Sequence, residues 1–513
     1  MAIAANCTVF GERHDWSGVI STPSNPTTRW QVSGYRFLVR RMEHALVRRD
    51  VRMLHDPMRS QTRAFAVGLI LALVALAGCG VLALLRPQDK IGSSKILIGK
   101  DSGAVYVVID NVVHPALNLA SARLAAGEAA KPATVKESEL AKKPRGQLIG
   151  IPGAPASLNY DTSDRAWTVC DVLANDGSRS LTTSVLVGAP VLGDKAAPLA
   201  DGKALLVQGR DAAYLVYDNQ RARIDVNDRA VVDALDIRGR TPRPISEGLL
   251  NAIPEVLPLV PPQIADAGAA PAYSIGDHRI GDVVQVRSDN RYYAVLADGL
   301  QPVSQLTADI IRNTYRSAAA DDYIAQADRT AAPVSGALHV SNYPDRVPEL
   351  VDGKDQPVDC LSWRPVGAAD QTDGSKHAEL TVLTGHAVPI PDRAGLVPLA
   401  QADGNGSNVD AFYTEPGAGE YVQATGIEPD SQRRDSLFFI SDFGVRYGIK
   451  DLETAKALGM DPAAVTPEPA PWPIIGLLAP GPTLSREAAM VAHDGVAPDP
   501  NPAPQPVKGQ NQN

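Results

Sequence analysis

Two stretches of the 513-residue sequence approach the residue types and spacing of a chemical site. The first is GAPVLGDKA, residues 188–196. A phosphate-cradling loop needs G-x-x-x-x-G-K-[ST], so that backbone amides and a lysine directly after the second glycine meet the phosphates. Here Asp194 follows Gly193, Lys195 comes one place late, and Ala196 stands where a hydroxyl is needed. The second is DGNGSNVD, residues 403–410, with oxygen donors at alternate positions as in a calcium loop. Its sixth position is Asn408 instead of glycine, and Thr414 holds the twelfth instead of glutamate. A glycine-rich turn is the better expectation. H-E-x-x-H, G-x-S-x-G and paired C-x-x-C do not occur. Of the nine histidines, His14, His44 and His55 fall before residue 64. His114, His278, His339, His377, His386 and His493 come later, none of them at metal-ligand spacing. The expectation is no catalytic residue, no cofactor and no metal.

With little chemistry to position, the elements themselves carry the reading. Residues 64–85, AFAVGLILALVALAGCGVLALL, are 22 residues without charge or proline. At 1.5 Å per residue the helix would be about 33 Å long, against a bilayer core of about 30 Å. Both faces are apolar, unlike a helix on the surface of a soluble core. This predicts one transmembrane helix. A cleaved signal peptide would lie far closer to the start. LAGC, Leu76–Cys79, resembles a lipoprotein processing site, but the apolar run continues past Cys79 through GVLALL.

The chain is acidic overall, with net charge −9, which disfavours nucleic acid as a partner. Residues 29–63 nevertheless hold nine arginines against Glu43, Asp50 and Asp56. Val32, Tyr35, Leu38, Met42, Ala45, Leu46 and Met53 recur at helical spacing, and Arg36, Arg40, Arg41, Arg48 and Arg49 cover the remaining surface. Such a helix suits the anionic inner leaflet or a partner's cytosolic domain; as a bare topology signal it would only hold the N-terminus inside. Lysine and arginine close to the span are nearly balanced on its two sides. Arg36, Arg40 and Arg41 tip the bias toward a cytosolic N-terminus. Within the span, Ala64, Gly68, Ala72 and Gly80 share one face, and Ala75, Cys79 and Ala83 a second. Small faces let helices approach closely, although Ala and Gly are common in membrane helices generally.

After the span the sequence is written twice. YVVIDNVVHPALNL (106–119) and YAVLADGLQPVSQL (293–306) align on Pro115 and Pro302, bringing Tyr106 to Tyr293 and Val108 to Val295. Each reads as strand, turn, strand, helix. Weaker copies are YLVYDNQRARIDVNDRAVVDAL (214–235) and FFISDFGVRYGIKDLETAKAL (438–458), making four ββα units. Two β-rich blocks intervene, each with one cysteine and one tryptophan: Cys170 with Trp167, and Cys360 with Trp363. Proline-rich arms follow the second and fourth units. The fold class is α+β, with pseudo-twofold halves about a central β domain. Cys170 and Cys360 take matching places in the halves, so a bond between them would staple the two; the alternative is two free core thiols. The chain divides into a flexible stretch 1–26, a basic helix 27–63 and the span 64–85. Units lie at 92–130, 203–240, 281–330 and 433–461, and β blocks at 145–200 and 335–432. Arms occupy 241–280 and 462–497, and the polar, proline-rich 498–513 reads as a disordered tail.

TTRWQVSGYRFLVRRMEHALVRRDVRMLHDP (27–57) closely resembles the N-terminal segment of the EccB family of mycobacterial type VII (ESX) secretion systems. The resemblance continues through HPALNLASARL (114–124), LIGIPGAP (148–155), TPRPISEGLLNAIP (241–254) and GPTLSREAAMVAHD (481–494). It implies a single-pass inner-membrane protein with a cytosolic N-terminus. It also implies an elongated periplasmic domain of four repeat units around a central β domain carrying a disulfide. The partners it implies are the EccC ATPase, EccD, EccE, mycosin protease and other EccB copies. The function it implies is that of a structural core subunit. The family has also been labelled ATPase, so a periplasmic nucleotide hydrolase is the alternative; a cell-wall-binding module is a further rival. No Walker motif in this sequence supports the ATPase label.

Overall fold

The computed structural model describes residues 28–496, apart from 53–56, 86–90, 162, 164, 287–289, 316–321, 367–376, 405 and 462. The expected stretch 1–26, the tail 498–513 and Met53 therefore lie outside the described residues, as does the side chain of Arg48. The chain divides into two compact units, Met1–Gln88 and Asp89–Asn513.

The described residues of the first unit form two helices. Helix α1 (Arg29–Arg48) opens on a capping box, with Thr28 N–H donating to Gln31 Oε1 at 3.0 Å. It stops where Arg49 turns left-handed at φ 55°. Helix α2 (Pro57–Leu85) starts on a proline, whose missing N–H costs nothing in a first turn. It therefore begins seven residues before the uncharged run, taking in Arg59 and Arg63.

The described residues of the second unit form five sheets. The central one contains strands β1 (Trp167–Leu173), β2 (Leu181–Val187), β3 (Val358–Pro365) and β4 (Ala378–Gly385). Its order runs Val397–Pro398, Ala411–Tyr413, β2, β1, β3, β4, Ala196–Pro198. Strands β1 and β3 pair antiparallel at the middle, with Trp167 opposite Trp363, Cys170 opposite Cys360 and Asp171 opposite Asp359. The outer positions cross between the blocks: Ala196–Pro198 pairs with β4, while Ala411–Tyr413 pairs with β2.

The four other sheets form around the predicted ββα stretches. Val105–Ile109 and Val112–Ala116 pair through a turn at Asp110–Asn111, both at positive φ, as a two-residue hairpin turn requires. Tyr106 faces Pro115 across that hairpin, and Tyr293 faces Pro302 across its counterpart Tyr292–Val295 and Leu300–Val303. The helices that follow start at Leu119, Arg229, Gln305 and Leu452. Each is capped by the preceding side chain: Asn118, Asp228, Ser304 and Asp451. Each hairpin also has a strand before it, and each helix a short strand after it that runs parallel to that first strand. Several of these return strands have only two residues, such as Arg243–Pro244 and Tyr323–Ile324, too few to show a period of two.

The proline-rich stretches are also built into the sheets. Glu255–Leu259 runs parallel to Gln220–Ile224 at a sheet end, where a proline's missing N–H is tolerated. Glu468–Pro471 does the same beside Gly419–Thr425. Short helices Glu247–Ala252 and Trp472–Ile475 pack on one face of the central sheet, burying Leu249, Ile474 and Ile475 with Trp167, Val169, Leu361 and Trp363. Burial of this kind contributes about 1.5–3 kcal/mol per large side chain.

Candidate functional site: the bonded strands and the membrane segment

Cys170 and Cys360 are disulfide-bonded and almost wholly buried, with Leu186, Ala196, Val358 and Leu383 around them. Strand alternation sends their neighbours Asp171 and Asp359 to the opposite face. There the return strand Arg243–Pro244 brings in a guanidinium, and Arg243 Nη2 donates to Asp359 Oδ2 at 2.9 Å. Asp171 accepts from the Ser246 amide at 2.7 Å and from Thr183 Oγ1 at 2.9 Å. It thereby ties the start of helix Glu247–Ala252 to β1. Burial pushes Asp359 up to about 7; the Arg243 cation pulls it down and Asp171 pushes it up. Burial also raises Asp171, against the hydrogen bonds from Ser246 and Thr183. Two buried carboxylates therefore share one cation. This trio was not among the sequence candidates, although CD at 170–171 and DC at 359–360 were visible as mirror images.

A second network joins the strand before β1 to the fourth small sheet. Tyr160–Asp161 runs parallel to Gly419–Glu420. Arg165 is ion-paired with Asp161 and lies 3.6 Å from Glu415 and 3.9 Å from Glu420. Burial pushes Glu420 up to about 7, with Arg165 opposing the shift.

The two near-motifs have structural employment. Lys195 Nζ lies 2.8 Å from Asp392 and donates to the Ile390 carbonyl. In the 403–410 loop, Asp410 accepts the amides of Asp403, Gly404 and Thr183 at 2.8–3.0 Å. Its carboxylate closes the turn and fastens it to β2. Among the described residues, no group of three or more His, Cys, Asp or Glu is placed to hold a metal.

In the first unit, Ser60–Leu82 is long and apolar enough to cross a bilayer, and none of it is buried. At 100° per residue, Ala64, Gly68, Ala72, Ala75 and Cys79 fall within one narrow stripe, whereas Gly80 lies about 120° round the helix from its centre. Apart from Gly80, the two small faces expected from the sequence are thus one. A Cβ added at Gly68 or Gly80 would meet nothing within 4 Å, and Cys79 is an exposed free thiol. On α1, Arg36, Arg40, Arg41 and Arg49 are exposed. So are the apolar residues Tyr35, Leu38, Met42 and Leu46, at 60–77%. Phe37 and Val47 stand on the arginine side, so the apolar surface exceeds the predicted stripe. His44 is 6% exposed, and neither ring nitrogen has a partner among the described residues; nothing in its spacing foretold that.

Residues 24–498 match the family described as "Type VII secretion system ESX-1, transport TM domain B". The chain is 40% identical to the "ESX-3 secretion system ATPase EccB3" of Mycolicibacterium smegmatis, over 93% of this chain and 92% of that protein. It is 36% identical to the "ESX-1 secretion system ATPase EccB1" of Mycobacterium tuberculosis, over 94% and 98% respectively. Among solved structures, it resembles a chain of an intact ESX-5 inner membrane complex, with TM-score 0.72, 33% identity and coverage of 95% and 99%. It also resembles the EccB3 dimer from the ESX-3 core complex, with TM-score 0.66, 38% identity and coverage of 78% and 100%. With the family matched across nearly its whole length, this chain belongs to the EccB family of type VII secretion systems.

Proposed function

We propose that the chain serves as a structural core subunit of an ESX inner membrane complex, anchoring and organising the periplasmic part of the export machine. The observation that carries this reading is the likeness, over 95% of the chain, to a component of a solved ESX inner membrane complex. In this reading α2 spans the inner membrane once, with α1 cytosolic and the sheets periplasmic. The lysine and arginine bias and the disulfide both favour that orientation.

The sheets around 92–130, 203–240, 281–330 and 433–461 are read as four copies of one unit. Their shared plan of hairpin, capped helix and parallel return strand supports this. The blocks at 145–200 and 335–432 are read as pseudo-twofold partners joined at Cys170–Cys360, with a helix from each arm packed on the sheet face opposite the disulfide. Gly68, Ala72, Ala75, Cys79 and Gly80 are read as helix-packing positions, the first four on one stripe and Gly80 on a separate side. Arg36, Arg40, Arg41, Arg48 and Arg49 are read as contacts to anionic lipid or to cytosolic parts of the complex. Partners are the EccC ATPase, EccD, EccE, mycosin protease and further EccB copies.

The relatives' names carry the word ATPase, and a periplasmic nucleotide hydrolase is the competing function. A strain deleted for this chain separates anchoring from a free periplasmic activity. Full-length protein should restore export. Residues 89–513 sent across the membrane by a cleavable leader should not; restored export from that released domain would overturn the anchoring role.

A further inference from the structure

Three loops from distant parts of the sequence meet beside the bonded strands, and each turns on a glycine with a cation close behind it. They are Gly177-Ser178-Arg179 between β1 and β2, Gly239-Arg240 ahead of the return strand, and Gly353-Lys354 ahead of β3. Together they wall a cleft of about 730 Å³. The loops are held to one another: Arg179 Nη2 donates to the Pro242 carbonyl at 2.6 Å, and the Leu173 amide to the Pro357 carbonyl at 2.8 Å. Gly177 and Gly239 have φ of 82° and 74°, a conformation that favours glycine.

The lining is strongly one-signed. Arg179, Arg240, Arg243 and Lys354 face a single lining carboxylate, Asp352. Asp352 Oδ1 is already engaged, accepting the Lys354 amide at 2.9 Å. Arg179, Arg240 and Lys354 are exposed, whereas Arg243 is only 8% exposed and forms part of the floor. Its Nη2 serves Asp359, but Nε and Nη1 have no hydrogen-bond partner among the described residues. Both atoms are sealed from solvent, so Arg243 lends the floor its charge and not a free fork. Gly353 sits against that group: a Cβ there would come within 3.3 Å of both Nε and Cζ. Asp359 lies behind the guanidinium and offsets its charge, so the cleft's surplus comes mainly from the three exposed cations.

We propose that this cleft is a binding site for a compact, multiply charged phosphate group, a phosphate ester or diphosphate. Guanidinium forks match phosphate oxygens in pairs, and a lysine adds a point charge. The cations converge on one volume from three sides, which suits a compact polyanion better than the separated carboxylates of an extended acidic peptide. The volume exceeds what one phosphate fills, leaving room for the remainder of an ester. The same chemistry could arrive on a soluble phosphate ester or on a lipid headgroup.

The test uses the full-length protein in phosphatidylcholine nanodiscs, titrated calorimetrically with inorganic pyrophosphate without divalent metal. Saturable one-site binding is expected. Arg240→Glu combined with Lys354→Glu should weaken it roughly tenfold or more. Both residues are exposed, so the thermal midpoint should hold, confirming that the fold is intact. Arg393→Glu, exposed and outside the lining, should leave the affinity unchanged. Competition by glycerol phosphate assigns a soluble ester; competition only from phosphatidic acid in the disc assigns a lipid headgroup; either supports the site. No saturable binding by the unaltered protein, or equal affinity in the cleft double variant, overturns it. So does binding of a polyglutamate peptide without pyrophosphate binding, which would make the cleft a protein-docking surface.

Discussion

Replacing Arg243 by methionine should destabilise the sheet-rich unit by an amount that depends on pH. Asp359 lies at about 7 in the folded protein, against about 3.9 for a free aspartate. A carboxyl raised in the folded state holds a proton that the unfolded chain has released. Its contribution to stability is therefore fully present below about pH 4 and is lost as pH rises through about 7. At pH 5 the folded protein already carries Asp359 protonated. Losing Arg243 then removes little more than one hydrogen bond, about 1–2 kcal/mol. At pH 8.5 the unaltered protein holds an ionised Asp359 paired at 2.9 Å. Without the cation that carboxylate is buried unpaired, or must keep its proton against the solvent, at a cost of about 3–5 kcal/mol. The assay is urea unfolding of the full-length protein in detergent at the two pH values, followed by tryptophan fluorescence. Trp363 shares β3 with Asp359, and Trp167 stands opposite Trp363 on β1. Adding Asp359→Asn should recover most of the loss at pH 8.5. An equal loss at both pH values, or no recovery with Asp359→Asn, would refute the reasoning.

Other changes give sharper readings of single elements. Changing Cys170 and Cys360 to alanine opens a link of sequence separation 190, which the chain-entropy model values at roughly 5 kcal/mol as an upper bound. The urea midpoint should fall, and reductant should lower the unaltered protein's midpoint toward the variant's; insensitivity to reductant would show that the bond adds little. Changing Arg40, Arg41, Arg48 and Arg49 to alanine should lower the yield of membrane complex while leaving the unfolding midpoint of the sheets in place; unchanged yield reduces α1 to a topology signal. Gly68→Leu with Ala72→Leu fills the small-residue stripe and should cut co-assembly several-fold, consistent with about 1–2 kcal/mol for close helix contacts. Ile70→Ala with Leu73→Ala, also exposed on α2 but on the side opposite the stripe, is the matched control.

The sequence showed its long-range plan better than its local chemistry. The tyrosine-to-proline spacing located two hairpins because it is the cross-strand register itself, Tyr106 with Pro115 and Tyr293 with Pro302. The apolar run gave most of α2, and only its first turns were missed, where arginines at the helix start break the hydropathy pattern. Strands of two residues, as at Arg243–Pro244, were invisible because they exist only through pairing with a partner distant in sequence. The prolines of 241–280 and 462–497 suggested irregular arms. Their short helices arise from tertiary burial of Leu249, Ile474 and Ile475 under the central sheet, which local propensity does not report. The Arg243–Asp359 pair was hidden for the same reason. Its partners stand more than a hundred residues apart, and nothing local marks Arg243 among the arginines near it. The mirrored order WTVCD and DCLSW was legible in retrospect: two strands pairing antiparallel about a cysteine place like residues opposite one another.

As a core subunit, this chain is a fixed member of an ESX inner membrane complex. The most direct measurement is affinity purification of the tagged full-length protein from detergent-solubilised membranes, with mass spectrometry of everything retained. The expected result is an assembly far larger than the 54.3 kDa chain, containing the large EccC ATPase in stoichiometric amount. A tagged chain that elutes alone, with no large ATPase beside it, would contradict that membership.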